Sequence, residues 1–242
     1  LTAPQNKAVH DHIAAIVGRV TAPLVKKLGW DAAPGEDDQT AQLRTVVLGL
    51  AAAVGDKDVT SEAMRRFEHP EEVSADLRPL VYRVAAQAGE DHWNRLFAMF
   101  KAADLQETRL ILARAMGAVG WCDNEPLLRR YYDWATYSGD IPAQDIHLSF
   151  RAAGAGNPDF AIRYLMENWE KVFGICGSTF TFIMAHLFEH SVAWAYTPAQ
   201  LETIEKFFAG KDNLDVIQGI LDKTYETIRK INRQYFIRCV RV

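Results

Sequence analysis

The sequence predicts an all-α fold, with helix pairs stacked into a curved array. Three observations predict it. Apolar residues recur at the 3.6-residue spacing of one helical face. Alternating Val-, Ile- and Thr-rich runs bounded by turn residues, the mark of strands, are nearly absent. Gly and Pro breakers divide the chain so that helix starts recur about every 15–20 residues.

In chain order, helices are expected over about 4–27, 38–54, 60–68, 76–88, 90–101, 105–118, 123–137, 143–153, 158–173, 179–195, 198–209 and 213–237. The breakers between them are Pro34-Gly35, Gly55-Asp56, Pro70, Gly89, Gly120, Gly139-Asp140, Gly154 to Pro158, Gly177 and Gly210. Thr197-Pro198 places a capping hydroxyl before a proline at the first helical position, and Thr60 or Ser61 can cap the third helix. Inward stripes follow the helical period: Leu43, Val46, Val47, Leu50 and Val54; then Trp93, Leu96, Phe97 and Phe100; then Leu201, Ile204, Phe207 and Phe208. Leu28-Gly29 ends the first helix with a left-handed cap, and Trp30 is expected to fold back as a buried anchor. Short helices with short links pack as antiparallel neighbours, and a pair spacing of about 35–40 residues suits a HEAT-like solenoid or bowl. With no long flexible linker, residues 1–242 read as one α-helical domain.

Apolar residues make up 49% of the 242, enough for a sizeable core; the formal net charge is -4 with 24% charged residues. That balance argues against a nucleic-acid partner, which would meet a clustered basic surface. No apolar run reaches the roughly 18–20 residues that span a bilayer. The first 27 residues carry His10, Asp11, His12 and Arg19, so they do not read as a signal peptide. A start at Leu1 rather than Met reads as a fragment or a processed chain. Cys122, Cys176 and Cys239 are odd in number, far apart and without a C-x-x-C pair. They predict no disulfide framework and favour a reducing, cytoplasmic setting.

Few residues offer chemistry. His186-Leu187-Phe188-Glu189-His190 is literally H-x-x-E-H. On a helix its two imidazoles lie one turn apart and could meet one Zn²⁺, with Glu189 as general base, as in inverted zincins. Such a site needs a further acidic ligand, for which Glu202, Glu205 and Glu226 are the formal candidates. A polar stripe on a helix whose apolar face is Phe182, Ile183, Leu187 and Trp194 accounts for the same residues, and the metal reading is rejected. His10 and His12 face different sides of a helix. Glu36 to Asp38 and Glu71-Glu72 read as acidic helix starts. Gly154 to Pro158 lacks the Lys-Ser/Thr of a phosphate loop and reads as a turn. Cys176 has no positioned base and reads as a buried structural thiol. No catalytic residue is assigned.

A series of spaced signatures resembles the C-terminal helical domain of family M1 zinc aminopeptidases, nearest the puromycin-sensitive branch. These are Leu28-Gly29-Trp30-Asp31, Pro34-Gly35-Glu36 and Leu43-Arg44; Gly55-Asp56, Val59, Ala63 and Phe67; and Ala75-Asp76-Leu77-Arg78 with Val81-Tyr82. Further along come Ala103 to Glu107 with Met116-Gly117-Ala118, Ile141 to Asp145, Ala161, Tyr164 and Asn168-Trp169. Leu201-Glu202, Phe207-Phe208 and an amphipathic helix from Leu214 close the series, which covers about residues 20–240. Ile162 stands where the family carries Trp, Asn157-Pro158 lies too close to Asn168-Trp169, and the last helix has Ile231 or Tyr235 in place of its customary Trp.

The resemblance implies a bowl of HEAT-like helix pairs that closes over an active site in another domain, gates access and contacts the distal part of a peptide. The family's zinc helix, H-E-x-x-H, and its G-A-M-E-N segment belong to the catalytic domain and do not occur here, so no catalytic residue carries over. The implied partners are the chain's own catalytic domain, which holds the zinc, and peptide substrates; this chain is expected to bind no stoichiometric zinc. Arg109 and Arg114 on one helix, with His147 and Arg151 on another, are candidates for meeting a peptide carboxylate. The competing readings are a free-standing helical-repeat scaffold and an inverted zincin.

Overall fold

The computed structural model describes residues 4–176, 181–195, 197–209, 211, 214 and 217–239, with side-chain surroundings described for 11–175, 183–195, 197–209, 211, 214 and 217–230. Among them no strand occurs, and twelve α-helices do: α1 Pro4–Leu28, α2 Asp38–Ala53, α3 Lys57–Phe67, α4 Arg78–Gln87, α5 Glu90–Ala102, α6 Gln106–Met116, α7 Glu125–Tyr137, α8 Ile146–Gly154, α9 Pro158–Cys176, α10 Thr181–Val192, α11 Pro198–Phe208 and α12 Gln218–Cys239. Short 3₁₀ turns cover Pro70–Glu72, Gly117–Trp121 and Ala143–Asp145. The all-α expectation holds helix by helix. Gly177, Ser178, Gly210 and the expected helical residues 179, 180, 213, 215 and 216 lie outside the described residues, as do the side chains of His10, Cys176, Phe182, Ile231 and Tyr235.

The helices group into two compact units, Leu1–Ala115 and Met116–Val242. In the first, α1 packs on α2, α3 on α4, and α4 on α5. The core is Leu48, Phe67, Val81, Trp93, Leu96 and Phe100, all at most 1% exposed. In the second, α10 packs on α8 and α9, and α12 packs on α10 and α11. Its centre is aromatic: Tyr132 meets Phe150 edge-on at 4.8 Å and Tyr164 at 4.7 Å. Such pairs add specific geometry to the burial of large apolar area.

The links are set by identifiable residues. Gly29, Gly35 and Gly55 take positive φ, which glycine adopts without a Cβ penalty. Thr197 and Gln200 form the reciprocal capping box of α11. The cap of α3 is Asp56, whose side chain accepts from the Asp58 and Val59 amides. The helix therefore starts three residues before the Thr60 expected, because an Asx cap reaches the first orphan amides directly after Gly55. Residues 117–121 tighten into a 3₁₀ turn instead of extending α6.

The Leu28 to Arg44 signature folds as one knot. Arg44, 4% exposed, ion-pairs with Glu36 through both terminal nitrogens and donates to the Leu28 carbonyl at 3.2 Å. It thereby ties the end of α1 to the start of α2. The Arg44 guanidinium holds the Glu36 carboxyl below the usual carboxylate range. Arg66 donates through both terminal nitrogens to Asp31 at 2.8 Å and lies 5.1 Å over the Trp30 ring. Trp30 is half-buried beneath that guanidinium, not the fully buried anchor expected, because the knot leaves one ring face for a cation instead of a hydrophobic pocket.

One expected inward stripe is also corrected. On α2 the buried face is Arg44, Val47, Leu48 and Ala51. Leu43, Val46 and Leu50 stand 46%, 57% and 46% exposed. The two rows are adjacent on the helix, so an apolar count alone does not separate them; α2 packs against α1, α3 and α4, and the row left buried is the one carrying Arg44. Similarly, Ile183 and Leu187 of α10 are buried, but Trp194 is 49% exposed because α10 ends at Val192 and the ring falls in the following turn.

Candidate functional site

A cleft of about 390 Å³ opens in the first unit between α2, α4 and α6. Helical spacing brings its lining together. Ile111, Arg114 and Ala115 share one face of α6, Pro79, Leu80 and Arg83 share one face of α4, and α2 adds Thr45 and Gly49. Asp76, just before α4, completes the rim. Leu80, Pro79 and Ile111 make apolar walls, and two guanidiniums are set among them.

Arg83 donates from Nη2 to the Gly49 carbonyl at 3.1 Å. Burial pushes its pKa below the ordinary arginine value, yet a guanidinium stays charged at any physiological pH. Arg114 is exposed near the end of α6. Among the described residues, neither has a carboxylate within ion-pairing distance. A half-buried guanidinium bonded to a single carbonyl keeps most of its five donors for another acceptor. With apolar walls beside it, the cleft suits a carboxylate attached to an apolar group, since charge-assisted bonds gain strength where water is thinned.

The other sequence-derived candidates lie elsewhere. Arg109 is also on α6, but its Nε donates to the Ala103 carbonyl at 2.8 Å and its guanidinium lies 5.6 Å over Phe100, so it braces the link between α5 and α6. His147 and Arg151 are one turn apart on α8, in the second unit.

There His147 stacks against two histidines of α10, at 5.6 Å from His186 and 5.3 Å from His190. His147 Nδ1 is 2.8 Å from the Gln144 carbonyl, and His190 Nδ1 is 3.0 Å from the His147 carbonyl. A carbonyl can only accept, so both rings carry the proton on Nδ1. Glu189 lies 3.6 Å from both His186 Nδ1 and Lys223 Nζ. The two histidines of the H-x-x-E-H sequence thus belong to a stacked imidazole cluster that includes a histidine 39 positions upstream of the first, with Glu189 beside His186.

Burial, and then the neighbouring histidines, hold His147 below its ordinary pKa. His190 is likewise lowered by burial first, with Arg151 and His186 acting in the same direction. Asp145 opposes the shift at His147 and Glu189 opposes it at His190. The folded state therefore takes up these protons less readily than the unfolded chain. Stability is full above the unfolded histidine value of about 6.5 and falls as pH drops through the folded values. Thermal midpoints should be level from pH 8 to 7 and decline below about 6.5. In a His147→Gln/His190→Gln variant that decline should be shallower, and identical profiles would remove these imidazoles as its source.

The helices and the cleft define an all-α module with two guanidiniums set in an apolar-walled recess. The model of the ERAP1-like C-terminal domain matches residues 2–230, and the chain belongs to that family. Aminopeptidase M1-A of Oryza sativa subsp. japonica is 24% identical over 208 residues, 82% of this chain and 23% of the relative. Glutamyl aminopeptidase of Bos taurus is 30% identical over 159 residues, 61% of this chain and 16% of the relative. Aminopeptidase M1 of Arabidopsis thaliana is 23% identical over 193 residues, 76% and 21% respectively. The chain thus spans less than a quarter of the length of these curated relatives.

Sequence reasoning found Arg114 but missed Arg83 and Asp76. Arg83 sits in an otherwise apolar row, Val81 to Ala86, and that isolated charge was the available signal. Nothing local joins His147 to His186; only the packing of α8 on α10 does so.

Proposed function

We propose that this chain is the substrate-selecting C-terminal domain of a zinc aminopeptidase, and that the α2–α4–α6 cleft takes the carboxyl-terminal residue of a peptide. The observation that carries the reading is the pair of guanidiniums, Arg83 and Arg114, lining an apolar-walled cleft without carboxylate partners. Family membership supports the setting. Zinc and the peptide-bond chemistry belong in this reading to a separate catalytic portion, and the contribution here is positioning and enclosure. Within the family, Leu28 to Asp31, Pro34 to Glu36 and Leu43-Arg44 favour the puromycin-sensitive branch. The odd, widely spaced cysteines favour a cytoplasmic parent. Arg109, His147 and Arg151 do not line this cleft and have no part in this reading.

The test is a ladder of peptides with free and amidated C-termini, cut by the full polypeptide and by its Arg83→Ala and Arg114→Ala variants. Loss of a charge-assisted bond should lower kcat/KM for long free-acid peptides by about 1.5–3 kcal/mol, roughly 10- to 150-fold. Amidated peptides and single-residue chromogenic substrates should be cut almost normally. Equal losses on all substrates would show that the cleft is structural.

A further inference from the structure

We propose that the α2–α4–α6 cleft selects peptides whose carboxyl-terminal residue is basic, with Asp76 as the group that receives the side-chain cation. This rests on the proposed reading of the cleft and names the substrate class within it. Asp76, Pro79, Leu80 and Arg83 fall at i, i+3, i+4 and i+7, so they form one row along the start of α4 and the turn before it. The row has an acid at one end, a cation at the other and two apolar residues between them. Ile111 of α6 adds to the apolar middle, and Arg114 adds a second cation.

Asp76 has no other task in the fold. It is exposed, and among the described residues it has no hydrogen-bond or ion-pair partner. It does not cap α4: the N-cap residue is Leu77, without a side-chain cap, and the Leu77 and Arg78 amides bond to the Ser74 carbonyl. The neighbouring Arg78 turns away and donates to the Val73 and Glu71 carbonyls. The spacing fits a basic residue. Seven positions at 1.5 Å rise set Asp76 and Arg83 about 10 Å apart along the axis. Lysine spans about 7 Å from carboxylate carbon to ammonium, and a charge-assisted bond of about 2.8 Å at each end closes the rest. In that pose the carboxylate meets Arg83 and Arg114, the aliphatic stem lies over Pro79, Leu80 and Ile111, and the ammonium reaches Asp76. Basic side chains bury such stems while the charged head stays at the solvent edge. An acidic residue would set its carboxylate against Asp76, and an apolar one would leave Asp76 nothing to bind.

The test uses the full polypeptide and peptides of one length that end in lysine, norleucine or glutamate, each as free acid and as amide. Norleucine keeps the stem and drops the ammonium. Because Asp76 stands at the exposed rim, the contact has the strength of an exposed ion pair. kcat/KM should therefore favour lysine over norleucine about fivefold at low ionic strength and approach parity in about 0.5 M salt. Asp76→Asn should bring the ratio to about one, and Asp76→Lys should make glutamate the preferred terminus. Ratios taken on one variant cancel any general loss of activity. A lysine-to-norleucine ratio near one in the unaltered polypeptide, or a ratio that survives Asp76→Asn, would overturn the inference. Preference for free acids over amides, lost in Arg83→Ala, reports on the proposed function separately and stands if only the lysine preference fails. If free acids and amides are cut alike, the proposed function falls and this inference falls with it.

Discussion

Trp93→Ala is expected to destabilise the first unit by about 3–5 kcal/mol, the usual range for truncating a fully buried aromatic. The ring is 0% exposed, stacks on Phe97 at 5.6 Å and 10°, and shares its helix face with Leu96 and Phe100. Removing it loses the transfer free energy of a large side chain and leaves a cavity that rigid helices cannot close. The comparison is Trp30→Ala. That ring is half-buried with Arg66 above it, and the Arg66–Asp31 pair survives its removal. Partial burial plus a cation–π contact of about 0.5–1 kcal/mol predicts less than half the loss at Trp93. Urea unfolding of both variants, with unchanged m-values, measures the difference. Similar losses at the two tryptophans would mean that Trp30 is a core anchor after all.

The contrast between these tryptophans shows how far the sequence could be read. Trp93 lies in a row whose every member is apolar, and periodicity alone placed it inward. Trp30 lies in a link, where burial depends on which element folds over it; the cover proved to be Arg66, 36 residues away. The start of α11 was legible because Thr197 caps through a local bond to the Gln200 amide, whereas α3 was expected three residues late because Asp56, not Thr60, is its cap. The expected α2 stripe differs from the observed one because two adjacent rows of one helix are both largely apolar and the buried one carries a charge, Arg44. Spacing cannot say which row is buried and which stays exposed. The cleft was half legible for a related reason. Arg114 and Ile111 share a helix face, but Arg83 joins them only when α4 comes alongside, and that is tertiary information. The signature from Leu28 to Arg44 was recognisable as a pattern before its physical role was visible. Its Gly29, Glu36 and Arg44 are the parts of one buried ion-paired corner.

Gly120→Ala should destabilise the second unit by about 3 kcal/mol or more, at or above the top of the usual overpacking range. A Cβ there would sit 2.2 Å from the Ala153 carbonyl oxygen and 3.0 Å from its carbon. Gly156 meets the same constraint from the other side, its Cβ falling 2.3 Å from the Gly120 carbonyl carbon and 2.5 Å from the Trp121 amide nitrogen. The obstacles are backbone atoms, which no rotamer change can move aside. The 3₁₀ turn at Gly117–Trp121 and the turn after α8 must therefore separate, and α8 is the helix on which α10 packs. Gly174→Ala is the matched control. It lies within α9, and a Cβ there would meet nothing within 4 Å, so alanine should stabilise by about 0.5–1 kcal/mol through helix propensity. Both substitutions restrict the unfolded chain alike, so the gap between them isolates the steric contact in the folded state. Chemical denaturation should place the two variants about 4 kcal/mol apart, on opposite sides of the parent chain. A neutral Gly120→Ala would mean that the two turns do not touch through their backbones.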